Sequence, residues 1–448
     1  MATLARTLRL RDLVFIVVGT VIGSGIFLVP GIVLRESGGS VMVALAVWAA
    51  AGVLSLLGAL TFGELGAMKP EAGGLYVYIR DAFGPLTAFL YGWTAFFVIG
   101  SGSLATLAVA FTAYLGQFVT LGPVAGKLVA LAMIAVVMLV NVRGTRQGAD
   151  VQNVSTVLKA GAIVVMSGLL LAAGHGWSHD VAVPAAAAAA TPISGSFWSG
   201  VGLAMVAVLW AYEGWQYVTF SAGETVDPQR TFPRGIVIGT ALLIGIYVLA
   251  NVAYVAALGP AGAAASDRIA AEAVGAIFGP AAAKLIAAII LVSMFSAANG
   301  LTLTAPRMYF AMARDGIFWK KMAEVHPRFG TPAFAIVVSC AWGMLLAATG
   351  TFQQLLTYVV FVGWIFYALG GVAIFVYRRN APNAARPFRT PGYPVTPILF
   401  VLAAAAIVGN TVFAEPVRAA VGLGFVAAGV PAYLIWRSRA RAAAAAET

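Results

Sequence analysis

The chain has 448 residues, of which 61% are hydrophobic and 10% charged, with a net charge of +11 and a single cysteine. An ordinary soluble domain carries roughly 25% charged residues, so this composition excludes one, and a lone Cys340 excludes an intramolecular disulfide. The excess of cations lies in loops between apolar segments, where membrane topology and anionic headgroups account for it without nucleic acid.

Twelve apolar segments are expected, near 13–34, 40–66, 83–115, 123–141, 152–173, 198–222, 235–258, 274–305, 332–349, 354–377, 395–413 and 417–436. Most reach the ~20 residues needed to cross a hydrocarbon core of about 30 Å. The TLRLRD stretch ahead of the first has neither the charged leader nor the small-residue cleavage site of a signal peptide, so that segment is expected to stay in the mature chain. Of the 27 Lys and Arg, 21 fall in loops on the N-terminal side of the membrane, five on the other side, and one, Lys159, inside a segment. The positive-inside rule then places both termini in the cytoplasm.

The first segment, LVFIVVGTVIGSGIFLVPGIVL, is interrupted at its midpoint by Gly23, Ser24 and Gly25. Unwound backbone at membrane depth survives only where it is buried in protein or lines a cavity. The sixth segment carries a matching break at Glu213-Gly214 in WAYEGWQ. With five segments in each half, the second half must be inserted upside down relative to the first, and interruptions at matching positions mark a transporter site. The expected organisation is a tail over 1–12, a first inverted repeat over 13–174, an external linker over 175–197 and a second repeat over 198–377. A loop over 378–394, two further helices within 395–436 and a tail over 437–448 complete the chain.

At each break, N–H groups and a partial positive charge face carbonyls and a partial negative charge. Such a pair suits a zwitterion. Gly23, Gly25 and the Ile26 amide allow a carboxylate to approach the backbone, and the Ser24 hydroxyl adds a donor. Carbonyls around Ile22, Trp210 and Ala211, in the stretch that continues through Tyr212, Glu213 and Gly214, would accept from an ammonium. A free α-amino acid is the simplest ligand carrying both groups.

These residues resemble a known family. GTVIGSGIF at 19–27, FGELGAMKPEAGGLYVYIRDAFG at 62–84, GETVDPQRTFPRGI at 223–236, APRMYFAMARDG at 305–316, the loop at 328–332 and RPFRTPGYP at 386–394 are similar to the ordered motifs of the amino acid, polyamine and organocation (APC) transporters. WAYEGW at 210–215 resembles the sixth-helix FAYxGW motif of the L-type amino acid transporter (LAT) branch. The resemblance implies an all-α integral membrane fold of twelve transmembrane helices, with a five-plus-five inverted repeat of the LeuT type and broken helices 1 and 6. It implies alternating-access movement of neutral L-amino acids across the plasma membrane by sodium-independent exchange, with proton-coupled symport as the alternative and a channel-like protein more distantly. Trp210 occupies the position of the aromatic that caps bound substrate, and Trp364 matches a tenth-helix aromatic flanking the pocket.

Lys159 is the sharpest single residue. Entry of the fifth helix near Asp150 puts it roughly 13 Å deep, where an unpaired charge costs ~2.5 to 3.5 kcal/mol or more. In LAT-like transporters a fifth-helix lysine stands where sodium-coupled relatives of the fold bind sodium, which implies that Lys159 replaces the ion, with Ser293 and first-helix carbonyls as acceptors. Proton coupling through Lys159 stays open.

For Glu213 the readings are structural support first, then pairing with a cation, proton uptake, or attraction of a cationic substrate. Glu64, and Glu224 with Arg234, read as cytoplasmic-side network residues, and Ser296 and Asn299 as further candidates to line the site. His175, His179 and His326 fall in loops, and no HExxH, GxSxG, Walker or Cys-rich pattern is present, so neither enzymatic activity, nor a metal, nor a cofactor is expected. Animal LAT light chains join a heavy chain through a cysteine after the third helix. The loop over 116–126 has none, so no disulfide-linked partner is expected, and the chain reads as a monomer or loose homo-oligomer.

Overall fold

In a computed structural model, described for residues 4–174, 197–349, 352–414 and 416–446, the chain is all-helical apart from one isolated parallel bridge between Leu8 and Thr225. The linker expected over 175–197, with His175 and His179, lies outside the described residues except for Phe197.

The helices in chain order are α1 (Leu10–Val21), α2 (Gly25–Glu36), α3 (Val41–Met68), α4 (Leu75–Phe83), α5 (Pro85–Leu115), α6 (Pro123–Val142) and α7 (Thr145–Ala173). They continue with α8 (Phe197–Ala211), a 3-10 helix over Trp215–Glu224, α9 (Pro228–Ala265), α10 (Ile269–Phe278), α11 (Pro280–Thr304), α12 (Pro306–Arg314) and α13 (Ala333–Thr349). The last three are α14 (Phe352–Asn380), α15 (Val395–Ala414) and α16 (Pro416–Ala446). Among the described residues, ten helices are long and apolar enough to cross a bilayer, and α1 with α2, bent by 50° at their break, makes an eleventh span. The ninth expected segment corresponds to α13, whose 17 residues sit at the short end of what a membrane helix needs.

Two boundaries depart from the apolar pattern. The eighth segment does not begin at 274, because Gly279 and Pro280 separate the short α10 from α11 while their flanks stay apolar. The fifth begins at Thr145 rather than 152, since its first two turns are helical but polar. Lys159 is therefore the central residue of a 29-residue helix.

The broken helices occupy the middle of the bundle. α1 packs against α9, α7, α11 and the 3-10 helix, while α2 packs against α8. α13 lies on α6 and α5, and α15 and α16 lie outside, against α14, α3 and α5. Cys340 of α13 is buried.

Candidate functional site

α1 ends at Val21 and α2 starts at Gly25, so Ile22, Gly23 and Ser24 form the unwound link. The second break runs over Tyr212, Glu213 and Gly214, between α8 and the 3-10 helix. The two touch. A Cβ on Gly25 would lie 2.7 Å from both the Cα and Cβ of Ala211, so only glycine permits this approach. Gly214, at φ 126°, adopts a backbone conformation that L side chains rarely enter, and it faces Thr20 at the end of α1.

The carbonyl end of α1 is met by a cation. Lys159 Nζ, fully buried, donates to the carbonyl oxygens of Gly19 at 2.6 Å and Ser293 at 3.2 Å, and to that of Ile22. The Ser293 hydroxyl lies 2.9 Å from the Ile22 oxygen and 3.0 Å from that of Gly23. The acceptors are those read from the sequence, except that Ser293 uses its carbonyl toward Lys159 and its hydroxyl toward the break. No carboxylate pairs with Lys159 among the described residues; backbone dipoles alone stabilise the charge. With Lys159 and Ser293 both on the Ile22 carbonyl, its two lone pairs are engaged by the protein, and an ammonium could reach it only by displacing one donor.

Tyr247, on α9 and fully buried, was not singled out by the sequence pattern. Its hydroxyl lies 3.1 Å from the Val21 oxygen and 3.0 Å from the Ala211 oxygen, joining the C-terminal ends of both half-helices. Those carbonyls have no intrahelical partner, so one phenol serves both breaks. The Ala211 carbonyl, like that of Ile22, is thus occupied by a protein donor. The Trp210 carbonyl accepts from the Glu213 amide at 3.0 Å.

Glu213 sits one residue ahead of Gly214, which caps the 3-10 helix. One of its carboxylate oxygens accepts from the Tyr367 hydroxyl at 2.6 Å and from the Gln216 amide. Gln216 also donates to the Tyr367 hydroxyl at 2.6 Å and accepts from the Gly214 N–H at 3.2 Å. A closed set of neutral donors therefore holds the acid, and no Lys or Arg meets it among the described residues.

Between the breaks lies a cavity of about 40 Å³ lined by Thr20, Val21 and Gly23 of the first, Trp210 and Glu213 of the second, Tyr217, Ser103 and Leu107 of α5, and Ala297 and Leu301 of α11. It has room for little more than water, so a free amino acid enters only if the surrounding helices move apart. Thr20 Oγ1, Ser24 Oγ and the Tyr217 hydroxyl are buried without a hydrogen-bond partner in this conformation. Ser24 stands at the N-terminus of α2, ahead of Gly25 and Ile26, where first-turn N–H groups lack helical acceptors.

The other sequence candidates divide. Tyr212 turns from the cavity to pack against Trp48 and Tyr247, with ring centroids 5.9 and 5.0 Å apart. Trp364 does not line this cavity; it packs on Tyr367 and Phe400, one side chain behind Glu213. Ser296 accepts from Ser155, and Asn299 bonds Asn141, Gln152 and the Gly148 carbonyl, so both face α6 and α7. Glu224 pairs with Arg307 rather than Arg234: the carboxylate lies 2.6 Å from Nε and takes a bond from Thr145 at 2.7 Å, with both charged groups fully buried. Glu64 pairs with Arg378 at 2.7 Å and accepts from the Thr390 amide at 2.6 Å. His326 is a loop residue whose Nδ1 accepts from two backbone amides.

A helical membrane protein whose two interrupted helices meet around a buried cavity has the architecture of a carrier. Residues 8–435 match the sequence model of the amino acid permease family, and the chain belongs to that family. It is 30% identical to the serine/threonine exchanger SteT of Bacillus subtilis, over 95% of each chain. It is 33% identical to the human b(0,+)-type amino acid transporter 1, over 92% of this chain and 84% of that one. It is also 34% identical to the human large neutral amino acids transporter small subunit 2, over 94% and 78% respectively.

Proposed function

We propose that this permease exchanges neutral L-amino acids across the plasma membrane by alternating access and without sodium. The observation that carries the reading is the contact of the two breaks around one cavity, with Gly23, Trp210 and Glu213 on its wall. The substrate carboxylate takes the amides of Gly23, Gly25 and Ile26 and the Ser24 hydroxyl. Its ammonium turns to the break that includes Trp210, Ala211, Tyr212, Glu213 and Gly214. Trp210 acts as the gate, and Trp364 shapes the pocket from behind Tyr367. Lys159, with Ser293, supplies the positive charge that a sodium ion would otherwise bring to the carbonyls of α1. The two halves, 13–174 and 198–377, form inverted repeats with both termini cytoplasmic, and the chain works as a monomer or loose homo-oligomer without a disulfide-linked partner, cofactor or catalytic activity.

The names of the relatives support the substrate class and the exchange mode. The test is counterflow in proteoliposomes. Unlabelled internal serine or leucine should accelerate uptake of the same labelled amino acid, at a rate unchanged when choline replaces sodium. Sodium-dependent uptake, or uptake indifferent to internal substrate, sinks the proposal. A pH gradient that drives accumulation into empty liposomes would assign symport instead.

A further inference from the structure

The bilayer-facing side of α7 carries a second feature, unrelated to the cavity between the breaks. A groove of about 680 Å³ runs between α7, α10 and α11. Ala162, Val165 and Leu169 form one wall, and Leu285, Ile289 and Val292 the other, at spacings that keep each set on one helix face. Val274 and Phe278 of α10 close the end where α11 begins, and the stem of Lys159 forms part of the opposite end. All the lining side chains except Lys159 are hydrocarbon, and the groove opens toward the bilayer, with Val165 62% and Leu285 63% exposed.

Its dimensions match one chemical object. From Leu158 to Leu169 the groove follows α7 for roughly 16 Å, about half of a 30 Å hydrocarbon core. It therefore spans one leaflet, from the level of Lys159 outward. At the outer end stands Lys284, exposed and with no ion pair among the described residues. It lies nine residues before Ser293, about 13 Å along the helix, which brings its ammonium to the depth of the headgroups. At Gly161 an added Cβ would meet no atom within 4 Å, so the space beside it is open.

We propose that this groove binds one phospholipid, with an acyl chain along α7 and α11 and the phosphate at Lys284. Between lipid and protein there is no hydrophobic driving force, so the affinity comes from packing in the groove and from the charge at its mouth. The same two helices carry Lys159 and Ser293, which hold the carbonyls of α1. An acyl chain wedged between them sets the spacing from which the broken helix is suspended, so transport should respond to it.

The test uses the full chain, purified in mild detergent and titrated with phosphatidylglycerol or phosphatidylethanolamine under native mass spectrometry. Wild type should retain one phospholipid per chain. Gly161→Phe, whose side chain enters open space, should retain none at the same concentration while keeping the wild-type melting temperature. Lys284→Ala should need at least tenfold more lipid. Equal retention by wild type and Gly161→Phe overturns the site, as would disulfide-linked dimers formed through a cysteine placed at Val165, which would make a second copy of the chain the occupant. Delipidated wild type should gain several-fold in exchange when phospholipid is restored, and Gly161→Phe should not. A gain shared by both overturns the link to the Lys159 anchor.

Discussion

The two helix breaks are held by charges of opposite sign. At the first, the carbonyl end of α1 faces the ammonium of Lys159; at the second, the amide end of the 3-10 helix follows the carboxylate of Glu213. Each charge complements the partial charge of the helix end beside it. They differ in where the charge originates. Lys159 reaches across from α7, so the first break is tied to a neighbouring helix, whereas Glu213 belongs to the broken segment and is oriented by Gln216 within it and Tyr367 from α14. The first break is thus suspended from the surrounding bundle and the second largely organises itself, with Tyr247 as their shared link.

Removing the suspended charge should have the largest effect. Lys159→Ala leaves three buried carbonyl contacts unmade, and losing one member of a buried charged arrangement costs about 3 to 5 kcal/mol. Exchange in counterflow should fall by roughly a hundredfold or more, and Lys159→Gln, which keeps donors but no charge, should recover little of it. A near-normal rate in Lys159→Gln would show that hydrogen bonding rather than charge holds the first break.

Gly25→Ala comes next, because its Cβ would collide with the Ala211 backbone and force the breaks apart. Overpacking of this kind costs about 1 to 3 kcal/mol, to be read as a fall in melting temperature and in exchange together. Tyr247→Phe keeps the ring and removes the donor shared by Val21 and Ala211, at a cost of about 1 to 3 kcal/mol for the buried carbonyls left unpaired. Exchange should drop roughly tenfold, and an unaltered rate would mean that the two breaks are not coupled through this phenol. The smallest effect is expected from Glu213→Gln, which still accepts from Tyr367. Neutral amino acid exchange should change less than about tenfold, a bound of ~1.4 kcal/mol. A larger loss would show that the second break depends on its charge as strictly as the first.

Much of the site was legible because membrane depth makes polar and flexible residues conspicuous. Gly23-Ser24-Gly25, Glu213-Gly214 and Lys159 each interrupt an apolar run, and hydrocarbon penalises such interruptions unless they have a structural partner. Tyr247 and Tyr367 carried no such signal, since a tyrosine in a membrane segment reads as one more large apolar ring until its hydroxyl is placed. Gln216 lay within a recognised stretch, but its partners come from Gly214, Glu213 and α14. Arg307 illustrates the same limit: Glu224 was marked as a network residue, yet its cation sits 83 positions away instead of at the nearby Arg234.

The sequence by itself determined that this is a helical membrane protein with two interrupted helices and one cation at mid-depth, because apolar length, backbone satisfaction and the cost of burying charge are local requirements. Tertiary structure alone decided which carbonyls Lys159 holds, that Ile22 and Ala211 are engaged by protein donors, and that Trp364 stands behind the site instead of in its wall. Those outcomes depend on which helix faces meet across more than a hundred residues of chain, and no spacing along one segment encodes that.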